Sequence, residues 1–532
     1  MFSTSHNTVA LWIIGTYLVV IILIGYTVRR RNKTSAQFLH ASHALPTAVT
    51  AISFLAANCG ALEIVGIVAT TAKYGAYALH FYWLGAIPAM LFLALFMMPI
   101  YVQSGAMTVP DFLRVRYGPA THILSAATLA VTMAFVSGIS LYAISSVLNT
   151  FFGWNFSSIA VVTTVVILCY SLAGGLKATI YNEILQLAIT VAGLIPLAYA
   201  VFRDFRGIHH LMLSLPQNMT HIWTTLPLAK PQTATMDGLG LVLGLGFILS
   251  FGYWCTDFIL IQRALAARDI ESSINTPLLA AIGKVFFPAL VILPGMAAAV
   301  FLRQNGIANY DQALPFLMRH YYGYAMLGLG ISAILASLMS GLAGHISAMS
   351  TVWTHDLYRA YLRPGKSDRH YLFMGRVATV IACLLSIATA YIAFRYNNLM
   401  DYLQLLLSLF NAPLFATFLL GMFTTWATPK AGFWGLLLGV SAAATHNLSV
   451  RYGVIFYGSQ MLANFYGAIL GWVICLATTL LVSGFTGRKS LDQLKGITYF
   501  TQDRKVRHIS ARSWALAAIV LTITIALNFI FR

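Results

Sequence analysis

Apolar residues in this chain gather into long, nearly unbroken runs parted by short polar stretches. They show neither the strict alternation of a half-buried strand nor the narrow stripe of a soluble amphipathic helix. A run of about 20 mostly apolar residues is long enough to span a bilayer. Windows of about 19 residues pick out fourteen such runs, near 8–28, 44–72, 76–101, 119–147, 157–174, 180–202, 238–260, 276–302, 323–349, 372–395, 399–424, 431–449, 458–484 and 514–531. Composition agrees with the pattern. Of 532 residues 59% are hydrophobic and 9% charged, with mean hydropathy +0.79, whereas a soluble domain is about 25% charged. A soluble enzyme, a disordered chain and a basic nucleic-acid module are excluded. The expected fold is an all-α polytopic membrane protein.

The net charge of +18 is spread through short loops, so it reads as a signal for orientation rather than a nucleic-acid surface. Arg29-Arg30-Arg31-Asn32-Lys33 follows the first apolar run, the reverse of a cleavable signal. That predicts an uncleaved first span in the cell membrane, with its N-terminus outside and, after fourteen crossings, the C-terminus outside too. On this topology 22 Lys and Arg face inward and nine outward, and Lys284 alone falls inside a span. The five cysteines lie within apolar runs at spacings that suit neither a zinc site nor a disulfide framework.

Ionisable residues inside hydrocarbon cost about 2.5–3.5 kcal/mol each and usually face a cavity or a partner. Glu63, Lys284 and Glu183 are in that position; snorkelling to an interface is the competing reading, strongest for Glu183. The stretch Ala56-Ala57-Asn58-Cys59-Gly60 ahead of Glu63 suits either close helix packing or a broken helix whose freed carbonyls bind a hard cation. A second glycine-rich run, Gly240 to Gly246, leads into Ser250-Phe251-Gly252-Tyr253-Trp254 five spans later. Paired interrupted spans of this kind point to a transporter site between repeats. Ser337-Leu338-Met339-Ser340-Gly341 adds hydroxyls among small residues. No motif for nucleotide, zinc or proteolytic chemistry is present, so no enzyme and no cofactor is expected.

Nine strings then occur in order between about residues 44 and 440: Ser53–Asn58, Thr108–Tyr117, Ala173–Ala178, Tyr253–Asp257, Gln262–Ala267, Leu293–Gly295, Asp356–Tyr358, Phe418–Gly421 and Gly432–Gly435. Together they resemble the sodium:solute symporter family, which includes sodium/glucose and sodium/galactose cotransporters. The resemblance implies a leucine-transporter-like core of two inverted five-helix repeats, at 44–202 and 238–424, working by alternating access. One extra helix with its basic inner loop (1–43) precedes the core, an outer loop (203–237) joins the repeats, and three helices follow (425–532), with an inner basic segment at 485–513. It implies a sodium site formed by the carbonyls of Ala56, Cys59 and Ser337, the hydroxyl of Ser340, and position 341. A hydroxyl is expected at that last position, but the chain has Gly341. For solute it implies Glu63, Tyr82, Ser250, Tyr253, Trp254, Lys284 and Gln404, with Tyr82 and Glu63 departing from the sugar pattern. Glu183 stands where many members carry an aspartate of a second cation site. The expected partners are therefore a small polar solute, such as a monosaccharide or polyol, sodium and the lipid bilayer. Proton-coupled or uncoupled transport of a small organic anion, neutralised by Lys284, is the alternative.

Overall fold

A computed structural model of the chain describes residues 4–29, 45–60, 62–223, 227–305, 309–396, 398–503, 506 and 508–531. The basic stretch at 30–33 and the charges Arg504, Lys505, Arg507 and Arg532 lie outside them. Among the described residues there is no strand, only an isolated bridge between Leu45 and Ala267. That is the expected outcome in lipid, where each backbone polar group must be satisfied within its own helix.

Helix stands at every expected span. Nine helices among the described residues are long and apolar enough to cross a membrane, and eleven if two bent pairs each count once. By length and composition the count thus reaches up to eleven, and fourteen remains an expectation. Helical backbone continues from Phe156 to Asp204, 49 residues, or about 73 Å at 1.5 Å per residue, more than twice the hydrocarbon thickness. Its ends nevertheless share one face. Phe156 packs on Tyr391 and Phe394, at the end of the Asp368–Ala393 helix. Asp204 accepts from Tyr321, just before the Tyr324–Thr351 helix begins. Between them Leu176 and Ile180 pack on Leu45 and Ala266, near the other face. The run therefore folds back on itself and supplies two spans.

The first bent pair is Thr47–Asn58 with Leu62–Leu79, at 55°. Helical hydrogen bonding fails at Cys59 (ψ 47°), where Gly60 comes against the Tyr324–Thr351 helix. A Cβ on Gly60 would lie 3.2 Å from Gly341 Cα, tighter than an ordinary contact, so the two backbones approach closely at the break. The second pair corrects the sequence reading. Its 48° bend falls at Asp257, between Gly240–Thr256 and Phe258–Leu265, and not in the glycine run. There the Asp257 side chain accepts from Ile259 N at 2.8 Å and starts a new helix. The run Gly240–Leu249 stays helical, in a widened form, and its glycines permit close packing. A Cβ on Gly244 would stand 2.8 Å from Phe465 Cβ, and one on Gly246 2.8 Å from Leu84 Cγ.

Two charges counted with the inner loops lie in short helices, Val109–Tyr117 and Phe258–Leu265. Arg263 and Arg116 are both fully buried. Arg116 donates to the carbonyls of Gly421 (2.8 Å) and Thr424 (3.1 Å), the last turn of the Ala412–Phe423 helix, and so caps a helix C-terminus with charge of the favourable sign.

Candidate functional site

Four segments bring the central cluster together: the broken first pair, the Phe81–Gln103 span, the Ser250–Thr256 helix and the Ile270–Phe286 helix. Lys284 sits near the end of the last of these, 1% exposed. Its Nζ lies 2.7 Å from Glu63 Oε1 and donates to Asn58 Oδ1. Asn58 Nδ2 in turn donates to the Tyr253 hydroxyl at 3.1 Å. The ammonium is ringed by Tyr82 (5.2 Å), Phe287 (5.2 Å) and Trp254 (5.4 Å), whose π faces favour a cation. Lys284 therefore does not snorkel. Its charge is answered by the carboxylate on the broken segment.

All seven expected solute residues, Glu63, Tyr82, Ser250, Tyr253, Trp254, Lys284 and Gln404, line one cavity. Tyr253 and Trp254 stand edge to face at 5.6 Å, giving the cavity an aromatic wall. Gln404 Oε1 is buried with no hydrogen-bond partner among the described residues, so it offers unused capacity to a guest, and the Tyr82 hydroxyl faces the Glu63 carboxylate. Three polar lining residues were missed from sequence, Asn58, Ser140 and His345. Asn58 immediately precedes the break. His345 is one turn beyond Gly341 and bonds its carbonyl at 2.7 Å, a spacing of four that puts both on one helix face.

The cation-site residues also converge. Ser337 Oγ donates to the carbonyl of Cys59, and Ser340 Oγ to that of Ala56 at 3.4 Å. Gly341 opposes Gly60 and supplies no side-chain oxygen. These are hard oxygen donors, of the type sodium takes. Glu183 is placed differently. It is 0% exposed, so it does not snorkel either. Arg263 Nη2 reaches Oε1 at 2.5 Å and Nε reaches Oε2 at 3.3 Å, while Ser53 donates to Oε2. A cation here would have to compete with a guanidinium. At the opposite face Lys73 Nζ and the Tyr74 hydroxyl hold Asp401 at 2.6 and 3.2 Å, one helical turn from Gln404.

Residues 38–439 match the family model for the sodium:solute symporter family. The chain belongs to the sodium:solute symporter family. It is thus a multi-pass secondary transporter rather than an enzyme. The sodium/mannose cotransporter SLC5A10 of Bos taurus is 30% identical over 387 residues, 67% of this chain and 64% of the bovine protein. That stretch is just under two thirds of the bovine protein's length. The sodium/glucose cotransporter of Vibrio parahaemolyticus is 25% identical over 97% of both chains. Among solved structures, a Na+-coupled sialic acid symporter in a substrate-bound outward-open state superposes with TM-score 0.79 at 17% identity, covering 90% of this chain and 99% of that one. Mhp1, a nucleobase-cation-symport-1 transporter, gives 0.52 at 12% identity, with 88% and 99% covered. These two likenesses establish the leucine-transporter-like fold of this symporter.

Proposed function

We propose that this symporter couples inward sodium movement to uptake of a neutral polyhydroxylated solute, a monosaccharide or polyol. The ion pair between Lys284 and Glu63 carries the reading. A cavity whose one ammonium is already neutralised offers paired donors and acceptors to hydroxyls, against the aromatic wall of Tyr253 and Trp254. It offers little to a small anion, which would have to displace Glu63 from Lys284 and leave a carboxylate buried. The names of the mannose and glucose relatives agree with that choice.

In the mechanism, sodium enters from outside and is held between the carbonyls of Ala56 and Cys59 and the oxygens of Ser337 and Ser340. It displaces the hydroxyl contacts now made there and ties the broken segment to the Tyr324–Thr351 helix. Solute then binds Glu63, Lys284 and Gln404 against Tyr253 and Trp254, with Tyr82 and Ser250 also lining the cavity, and the core rocks to release both inside. One charge crossing about 100 mV supplies about 2.3 kcal/mol, which supports about fifty-fold accumulation at 1.36 kcal/mol per decade. Both termini lie outside in this scheme, with the segment at 485–513 inside.

Proton coupling is the second reading, favoured by the missing oxygen at Gly341 and by the carboxylate of Glu63 beside the break. Uptake of labelled monosaccharides and polyols into proteoliposomes, with an inward sodium gradient or an inward proton gradient, separates the two. Accumulation driven by sodium alone is expected; accumulation driven only by protons overturns sodium coupling. Concentrative uptake of small acids but of no sugar or polyol overturns the solute class.

A further inference from the structure

Away from the transport cavity, a second group of ligand-type side chains meets at the face expected to be cytoplasmic. It joins the short Val109–Tyr117 helix, which follows the Phe81–Gln103 span, to the widened helical stretch Val352–Leu362 that ends the Tyr324 helix. Widened turns of this kind recur at functional sites. Asp111 Oδ1 is held by Arg114 at 2.6 Å. Its Oδ2 accepts from Met107 N at 3.1 Å and faces His355 Nε2 at 3.9 Å. Asp356 is 0% exposed. Its Oδ1 accepts from Thr108 at 2.6 Å and lies 3.1 Å from His122 Nε2, whose Nδ1 is 2.7 Å from the Tyr361 hydroxyl. The other oxygen, Asp356 Oδ2, is buried with no hydrogen-bond partner among the described residues.

We propose that Asp111, His355 and Asp356 form a binding site for a divalent cation of the zinc class. One ligand atom from each residue lies within 4.8 Å of the others. Bonds of about 2.0–2.2 Å to zinc place tetrahedral ligands about 3.4 Å apart, a closure within reach of side-chain rotation. Two carboxylates and an imidazole, without thiolate, select a borderline divalent ion over soft copper(I). Three protein ligands leave the fourth position to water. His122 and Thr108 then orient Asp356, as outer partners of metal-binding carboxylates do. The unpaired oxygen explains itself on this account, because a buried carboxylate oxygen without a partner is costly. Binding would pin the connector after Phe81–Gln103 to the helix that carries Ser337 and Ser340, and so arrest the core.

Calorimetry with zinc chloride on the purified full chain in detergent tests the site. His209 and His210, adjacent on an exposed outer helix, are replaced by Ala in every sample. One saturable equivalent is expected. Its affinity should fall about 10- to 100-fold in His122→Ala, and binding should vanish in His355→Ala and Asp356→Asn. His355→Gln, which keeps a polar side chain, guards against misfolding and should also lose the metal while its metal-free melting temperature stays unchanged. Sodium-driven uptake without zinc should be normal in His355→Gln, and the zinc concentration that halves uptake should rise at least tenfold. Equal affinity and stoichiometry in parent and His355→Gln, or no saturable binding by the parent, overturns the site. Loss of binding without any change in zinc inhibition overturns its effect on the core.

Discussion

Lys73, Arg263 and Lys284 meet Asp401, Glu183 and Glu63 respectively, each partner coming from a distant segment, and the last two cations are fully buried while Lys73 is half-buried. Breaking a buried pair leaves an uncompensated charge and costs about 3–5 kcal/mol, whereas removing both partners costs far less. Lys284→Ala should therefore lower the melting temperature and abolish solute uptake. Lys284→Met with Glu63→Gln should regain the melting temperature but not the uptake. Glu183→Gln should likewise destabilise the fold, with stability recovered in the double change with Arg263→Met. The sodium dependence of uptake by that double variant then decides whether Glu183 also serves a cation, and an unchanged Hill coefficient is expected. Outside the spans, burial pushes the Asp311 carboxyl up to about 7, with the neighbouring Asp401 charge adding to the rise and Leu399 N and Lys73 opposing it. The native state thus binds a proton that the unfolded chain releases near pH 4. Stability from this group is full below that value and is lost as pH rises to about 7. Melting temperature followed from pH 4 to 8 should show this fall, and Asp311→Asn should flatten it. Glu63, Lys284 and Glu183 were visible in sequence as charges out of place, whereas Asp401, at the start of its span, was not singled out. Arg263 was not either, because it ends an apolar run and its partner lies 80 positions away.

At the scale of elements, the first break was legible because polar Asn58, Gly60 and Glu63 cluster inside one apolar run. The second was misplaced because glycine content alone does not distinguish a helix that unwinds from one that packs closely. Neighbours in space decide it, and for Gly244 and Gly246 they are Phe465 and Leu84. Adding bulk there should be destabilising by about 1–3 kcal/mol. Gly244→Val should show it in thermal melts, while Gly15→Ala, where nothing lies within 4 Å, serves as the neutral control. A neutral outcome at Gly244 would mean that the two helices stand farther apart than described. The reversal within Phe156–Asp204 was readable as two windows of apolarity parted at Gly174-Gly175-Leu176-Lys177, and Phe156–Cys169 and Leu176–Asp204 are the separate apolar helical stretches on either side.

For the whole molecule, hydropathy and charge asymmetry carried the fold class. Cation-site residues from two segments nearly 280 positions apart were reachable only through family resemblance, since no local pattern pairs a carbonyl with a distant hydroxyl. The orientation has its own check. A cysteine at exposed Leu228 should react with an impermeant maleimide added to intact cells, and one at Lys430 should react only after permeabilisation; the reverse pattern inverts the topology. The three pairings of cation with carboxylate carry one more consequence, for electrophysiology. Each is a compact dipole with no net charge to drag through the electric field when the core rocks. Displacement currents recorded after a voltage step, in the absence of solute, should therefore be small and should disappear when sodium is replaced by a larger, inert cation.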